Sequence, residues 1–411
     1  MRVSMSFQWN EGISIACKHT KWFWVSLLAI YPFAPTWAND SMLDTLQVHG
    51  FLSQALVITD DNNFFGNSSK NAGSLEYTEL GLNASIRPHS NLLVAAQVLS
   101  RRAGGETSDA IPTLDYGVVD YQMVSNQQRT IGLQLGRFKN PFGLYNQTRD
   151  VAFTRPSILL PQSIYFDRTR SLGMAGDGAS LYHEERTQAG VFRFQAGVGK
   201  ARIEDDVDLA LGLDRFPGTL QAGSSAIGQV RFEDNSGRFL MAVSTASANA
   251  NYQGSQPPLD NGSFQFLPWV FSLQYNHELW SLTSEYALRT IELDGFNPGI
   301  DQKKTGESWY VQYTRRVASD WQWLVRFDRL INDRNDRSGS AYEQSGLGPA
   351  HSQFADDITV GVQWMPRPNI MLAGEYHHVD GTGWLPLNTD ASASETSRHW
   401  NMLLFQLSLR F

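Results

Sequence analysis

From His399 to its last residue the chain reads HWNMLLFQLSLRF. Leu403, Phe405, Leu407, Leu409 and Phe411 share one face of an extended strand, with Asn401 near its start, while Gln406, Ser408 and Arg410 share the other. Successive side chains of a strand point to opposite sides, so this alternation makes a ribbon with one oily and one wet surface. The same unit recurs from Leu46 onward, and each copy needs water on one side and an apolar surrounding on the other.

The first copy alternates Leu46, Val48, Leu52, Leu56 and Ile58 against Gln47, His49, Ser53 and Thr59. The loop Asp60 to Gly73 follows, then Leu80, Leu82, Ala84 and Ile86 against Glu79, Asn83, Ser85 and Arg87, then the tight turn Pro88-His89-Ser90. Short turns recur at 125–128, 184–187, 233–236, 276–278, 317–320 and 365–368, and long connections fall near 103–113, 139–175, 201–224, 250–263, 293–306, 333–353 and 381–397. Short turns on one side and long loops on the other mark a transmembrane antiparallel β-barrel, here of about 16 strands. The strands expected at 114–124 and 226–232 are the weakest in pattern. Trp and Tyr are expected at strand ends and plain aliphatics between them, as two membrane interfaces require. A soluble propeller also alternates, but no blade motif repeats. The final strand resembles the closing strands of bacterial outer-membrane barrels, which end in Phe. That likeness implies the outer membrane of a Gram-negative bacterium, outer-membrane lipid around the barrel, and uptake of the strand ending at Phe411 by the barrel-assembly machinery.

Composition agrees. The 411 residues include 12 Trp, 14 Tyr, 23 Phe and 34 Gly, which suits aromatic girdles and glycine-bearing strands. After the N-terminal region no apolar run approaches the roughly 18 residues of a membrane helix. A net charge of -8 argues against nucleic acid as a partner. Residues 1–38 read as a secretory signal peptide: Lys18 and Lys21 precede the apolar run Trp22 to Ala34, and Thr36-Trp37-Ala38 offers small residues for cleavage. The barrel then occupies 39–411. The single cysteine, Cys17, precedes that site, so a mature chain has neither a disulfide nor a thiolate metal site.

The third long connection, Lys139 to Ala175, is the longest, and loops of that length are usually functional or disordered. This one carries Phe142, Leu144, Tyr145, Phe153, Ile158, Leu159, Leu160, Tyr165 and Phe166, enough apolar surface to fold against something. Its charges are Lys139, Arg149, Arg155, Arg168 and Arg170 against Asp150 and Asp167, five basic to two acidic in an acidic protein. Folded into the lumen, it would narrow the passage and place that surplus where screening is weak. Basic pore linings favour anions. The alternation adds Arg193, Arg231, Arg289, Arg316 and Arg326 as lumen-facing, partly balanced by Glu79, Glu285, Asp328 and Glu375. For each arginine the competing reading is a pair with a nearby carboxylate or a snorkel to the interface.

The run Gly136-Arg137-Phe138-Lys139-Asn140-Pro141-Phe142-Gly143 opens this loop. It resembles the segment found at this position in the phosphate-selective porin family of the O/P type. The likeness covers most of the mature chain in layout, with this run and the terminal Phe as its motifs. It implies a 16-stranded homotrimeric barrel whose third loop folds inward and passes small anions, phosphate-like ones included, through a basic constriction. Lys139 and the loop arginines would form that constriction. The departure is in lysine: after the cleavage site only Lys70, Lys139, Lys200, Lys303 and Lys304 remain, so arginine would carry the anion preference.

The sequence thus predicts a porin giving passive diffusion of small polar or anionic solutes. A second reading is an uptake channel specific for a bulkier ligand such as a siderophore or organic acid. A third is a closed barrel serving as adhesin or scaffold. Gly197-Val198-Gly199-Lys200 lacks the spacing of a phosphate loop. His377 and His378 fall on opposite strand faces and cannot chelate one metal together. No cofactor, metal site or catalytic constellation is predicted.

Overall fold

The two-faced ribbons pair edge to edge because each leaves its backbone donors and acceptors unmet along both sides, and closing the sheet on itself removes the last edge. The computed structural model describes residues 43–104, 110–214, 216–255, 261–296, 301–386 and 393–411; the expected signal peptide lies outside them. Seventeen strand segments form one sheet, each antiparallel to its neighbours. Gly218–Ala222 and Ser224–Asp234 both pair with Phe239–Gly254 and are two halves of one strand, which makes sixteen. The first strand, Gln47–Thr59, pairs with the last, His399–Arg410, from Phe51 opposite Arg410 to Thr59 opposite Met402, closing the barrel. Both weakly patterned strands are present, as Thr113–Ser125 and Ser224–Asp234.

Seven connections of two to four residues lie at one rim, and eight of seven to thirty-five residues at the other. The chain end belongs to the short-turn rim, where the Phe411 amide donates to the Gly50 carbonyl at 3.0 Å and the Gly50 amide donates back at 3.2 Å. The absence of a Cβ at Gly50 lets the Phe411 ring lie over it, a Cβ there standing 2.3 Å from the ring as placed.

The faces sort as the alternation demands. On the last strand Phe405 and Leu407 are exposed to 50% and 44%, whereas Gln406 and Ser408 are buried at 3% and 1%. The exposed belt is apolar all round, the surface such a barrel turns to lipid. Aromatic residues gather at the short-turn rim, where Trp321 stacks on Trp364 at 5.4 Å and Trp280 lies between Tyr275 and Tyr313. The expected confinement of Trp to strand ends is incomplete. Trp269 and Trp309 fall at the centres of Gly262–Asn276 and Gln302–Arg316, where each packs on an outward phenylalanine, Phe271 or Phe327.

The inward face also carries an apolar core that the alternation does not suggest. Phe64 and Phe65 from the first long connection, Ile158 and Leu159 from the third and Trp384 and Leu385 from the eighth pack with inward Ala55, Val57, Val379 and Trp400. Trp384 meets Trp400 at 5.3 Å and Phe64 edge-on at 5.6 Å. Burying each large side chain stabilises by about 1.5–3 kcal/mol, so these three loops are fixed to each other and to the wall.

Candidate functional site

The third long connection, 140–174, links the strands Arg129–Lys139 and Ala175–Arg186. Its polar contacts run to inward residues on widely separated strands. Gly143 donates its amide to Ser244 Oγ at 3.1 Å. Glu285 accepts from the Leu144 amide at 3.0 Å and the Tyr165 hydroxyl at 2.6 Å, with Ser272 and Tyr310 completing its shell. Glu375 accepts from the amides of Ile158 and Leu159, and Asp328 from that of Ser163. Arg326 donates to Ser157 Oγ at 3.2 Å and the Leu159 carbonyl at 3.1 Å, and Gln363 donates to the Arg155 carbonyl at 3.2 Å. Three of the four wall carboxylates expected to offset inward arginines are therefore occupied by loop backbone N–H groups. Hydrogen bonds to a charged partner contribute about 1.5–3 kcal/mol each, and the ordering cost of a long loop makes several necessary.

The loop cations lie in a linked set of ion pairs. Lys139 Nζ donates to Asp115 at 2.6 Å and also to Asp150. Arg170 bridges Asp150 and Asp167, and Arg101 joins Asp167 at 2.7 Å to Glu79 at 3.2 Å. Arg155 closes the far end on Glu79 at 2.8 Å and on the Tyr77 hydroxyl at 3.3 Å. Arg149 donates to the Tyr165 carbonyl at 3.1 Å and lies 3.6 Å from Asp167. Burial alone would raise the Asp167 carboxyl, but Arg101, Arg149 and Arg170 outweigh it and hold it down at about 2. Five cations (Lys139, Arg101, Arg149, Arg155, Arg170) thus face four anions (Glu79, Asp115, Asp150, Asp167), a surplus of one.

Arg168 differs. Its guanidinium donates to the Ala210 carbonyl at 3.2 Å, and among the described residues it has no carboxylate partner. It lines a cavity of about 500 Å³ at the long-loop rim, whose other charged residues are Arg101, Arg170 and Arg202 against Asp115, Asp167, Glu204, Asp205 and Asp206. Asp206, on the short helix Asp205–Leu211, accepts from both the amide and the hydroxyl of Ser171. Burial lifts its carboxyl to about 6.

The five arginines expected along the wall separate into two groups. Arg289 and Arg326 are buried beside the loop, Arg289 donating to Ser308 Oγ at 2.7 Å with its guanidinium 4.5 Å from the centre of the Phe166 ring. Arg193, Arg231 and Arg316 stand toward the short-turn rim, with Arg193 bonded to Glu184 at 3.1 Å and Arg231 at 3.6 Å from Glu233. Sequence reasoning missed Arg101, Asp115 and Arg202. A register shift between Gln97 and Val98 leaves Leu114 outward and Asp115 inward, which breaks the alternation from which Asp115 would have been read. His377 is buried and His378 exposed on the opposite face, and Gly197 to Lys200 lie within the strand Gly190–Ala201.

No protein-family model matches the chain, and no curated protein matches it either. Solved structures do. An anion-selective porin from Comamonas acidovorans superposes with a TM-score of 0.58 at 12% identity, over 89% of this chain and 99% of that one. The outer membrane channel DcaP of Acinetobacter baumannii gives 0.53 at 12% identity, over 89% and 97%. Salmonella typhi OmpF, in complex with daunomycin, gives the same values. At such identities the likeness concerns architecture: this chain has the closed sixteen-stranded antiparallel barrel of the outer-membrane porins.

Proposed function

We propose that the protein is a channel of the Gram-negative outer membrane in which the loop 140–174 lies across the lumen and restricts the passage of small hydrophilic solutes, with a lean toward anions. The observation that carries this reading is the spread of the loop's anchors, from Glu79 on the second strand through Ser244 and Glu285 to Glu375 on the penultimate one. A loop bonded to inward residues on opposite sides of a closed barrel crosses its interior. Lys139, Arg149, Arg155 and Arg170 hold the loop in place, their charge largely cancelled by partners, and Arg168 is the loop cation that, among the described residues, reaches the cavity without a carboxylate of its own. The anion-selective neighbour supports the same sign of preference. Trimeric assembly, as in a trimer form of Vibrio cholerae OmpT among the similar structures, and export by residues 1–38 belong to this proposal.

A second reading, uptake specific for one class of larger organic anion, is favoured by the near-cancellation of charge. A general anion pore gains from many free cations, whereas a selective one needs few that are well placed. In planar bilayers under a salt gradient, the wild type should show a reversal potential displaced toward that of the anion. Arg168→Gln should move it toward the cation value, and an unchanged value would remove Arg168 from the route.

A further inference from the structure

The loop does not meet the wall in the same way all round. From the strand Trp280–Asp294 onward to the last strand, the inward residues facing it are sealed. Glu285, Ser308, Gln312, Arg326, Asp328 and Thr359 are each exposed to 1% or less. On the strands following the first, the ion pairs from Glu79 to Asp115 bind loop and wall together. The remaining arc is formed by the strands 175–186, 190–201, 224–234, 239–254 and 262–276. Polar side chains that bond the loop there are few: Gln195 to Gln147, and Gln229 and Ser244 to Gly143.

On this arc the inner surface changes character. Between the inward Leu240 and Tyr252, the inward positions of Phe239–Gly254 read Ala242, Ser244, Ala246, Ala248, Ala250, where a water-filled lumen would ordinarily show larger polar groups. Gly197 and Gly199, on the strand Gly190–Ala201, stand on the same wall. Gly197 is needed because a Cβ would come within 2.5 Å of the Phe138 ring. Between this small-residue wall and the two ends of the loop lies a cavity of about 60 Å³, lined by Phe138, Phe142 and Leu172 on one side and Gly197, Ile227 and Ala246 on the other. That volume holds only a few waters, since one needs roughly 10–15 Å³ of such space, and its lining offers them few partners. Apolar constrictions of this kind disfavour bare hydrated ions without closing to them, because such ions lose hydration on entry.

We infer that this slot is the narrow part of the permeation route, and that the channel passes small organic anions with a slim hydrocarbon body, short-chain monocarboxylates above all, in preference to inorganic or hydroxylated anions of similar size. The inference rests on the proposed channel function and specifies its substrate class. Arg168 at the outer cavity attracts the carboxylate, and the hydrocarbon body displaces poorly bonded water from the slot, which favours its entry.

The test uses the full-length barrel in planar bilayers with sodium butyrate and sodium glycerate under bi-ionic conditions. The wild type should favour butyrate by at least fivefold in relative permeability, and Ala246→Phe should cut the butyrate current tenfold. Should Ala246→Phe fail to show the heat-shifted gel mobility of a folded barrel, Ala246→Cys serves instead. The mature chain has no other thiol if cleavage removes Cys17, so a methanethiosulfonate reagent added after reconstitution should block the current. Equal or reversed selectivity in the wild type, or full current in the folded or modified variant, overturns the slot while leaving the channel standing. Absence of any current from folded wild type overturns both.

Discussion

Arg155 Nη2 donates to Glu79 Oε2 at 2.8 Å, joining the long third loop to the inner face of the second strand with both side chains almost fully buried. The partners are 76 residues apart in sequence. Removing one member of a buried pair strands the other's charge and costs about 3–5 kcal/mol, whereas replacing both with apolar groups can be nearly neutral. Glu79→Leu leaves Arg155 without a carboxylate and should release the loop, with raised and noisier conductance and a lowered unfolding temperature. Arg155→Met leaves Glu79 paired with Arg101 at 3.2 Å and should cost less, and combining the two should recover part of the Glu79→Leu loss. Additive losses in the cycle would show that the pair is not coupled.

Two of the loop carboxylates with shifted titration, Asp206 and Asp167, respond to pH in opposite directions. Asp206 is raised from 3.8 to about 6 by burial, so the folded contact holds its proton more tightly. Its stabilisation is full below about pH 4 and is lost as pH rises through 6. Asp167, held down at about 2 by three arginines, contributes fully above about pH 4 and fails as pH falls toward 2. Hydrogen exchange, corrected for intrinsic rates, should show residues 205–211 better protected at pH 5 than at pH 7.5, and the Asp167 amide less protected at pH 2.5 than at pH 5. Asp206→Asn should abolish the first difference only.

Val325 is outward on the strand Trp321–Ile331 and exposed to 51%. An arginine at the middle of a lipid-facing band costs about 2–4 kcal/mol. Val325→Arg should therefore lower folding stability in lipid vesicles by that amount, measured by denaturant titration. A cost under ~0.5 kcal/mol would mean that this face does not meet lipid, since surface changes in water stay within about that range.

The barrel was legible because lipid and water impose a period of two on every strand, and the turn lengths then order the strands. Even the weakly patterned strands expected at 114–124 and 226–232 form, as Thr113–Ser125 and Ser224–Asp234, between well-patterned neighbours. The interior was less legible, since nothing local tells Glu375 that its partners are the amides of Ile158 and Leu159, more than two hundred residues away. A count of charges in 139–175 reads the surplus within the segment correctly. It cannot see that Glu79 and Asp115 arrive from strands nearby in space and cancel most of it. The apolar surface of Ile158 and Leu159 was legible, but its partners Phe64 and Trp384 were hidden for the same reason, each resembling an ordinary loop hydrophobe.

The claim on which the rest depends is that the third loop crosses the lumen and sets its size. Single-channel conductance of the wild type beside a variant in which residues 144–170 are replaced by a short Gly-Ser linker tests it most directly. The loop variant should fold, shift on heating like the parent, and conduct several-fold more in the same salt. Equal conductance in the two proteins would contradict the account.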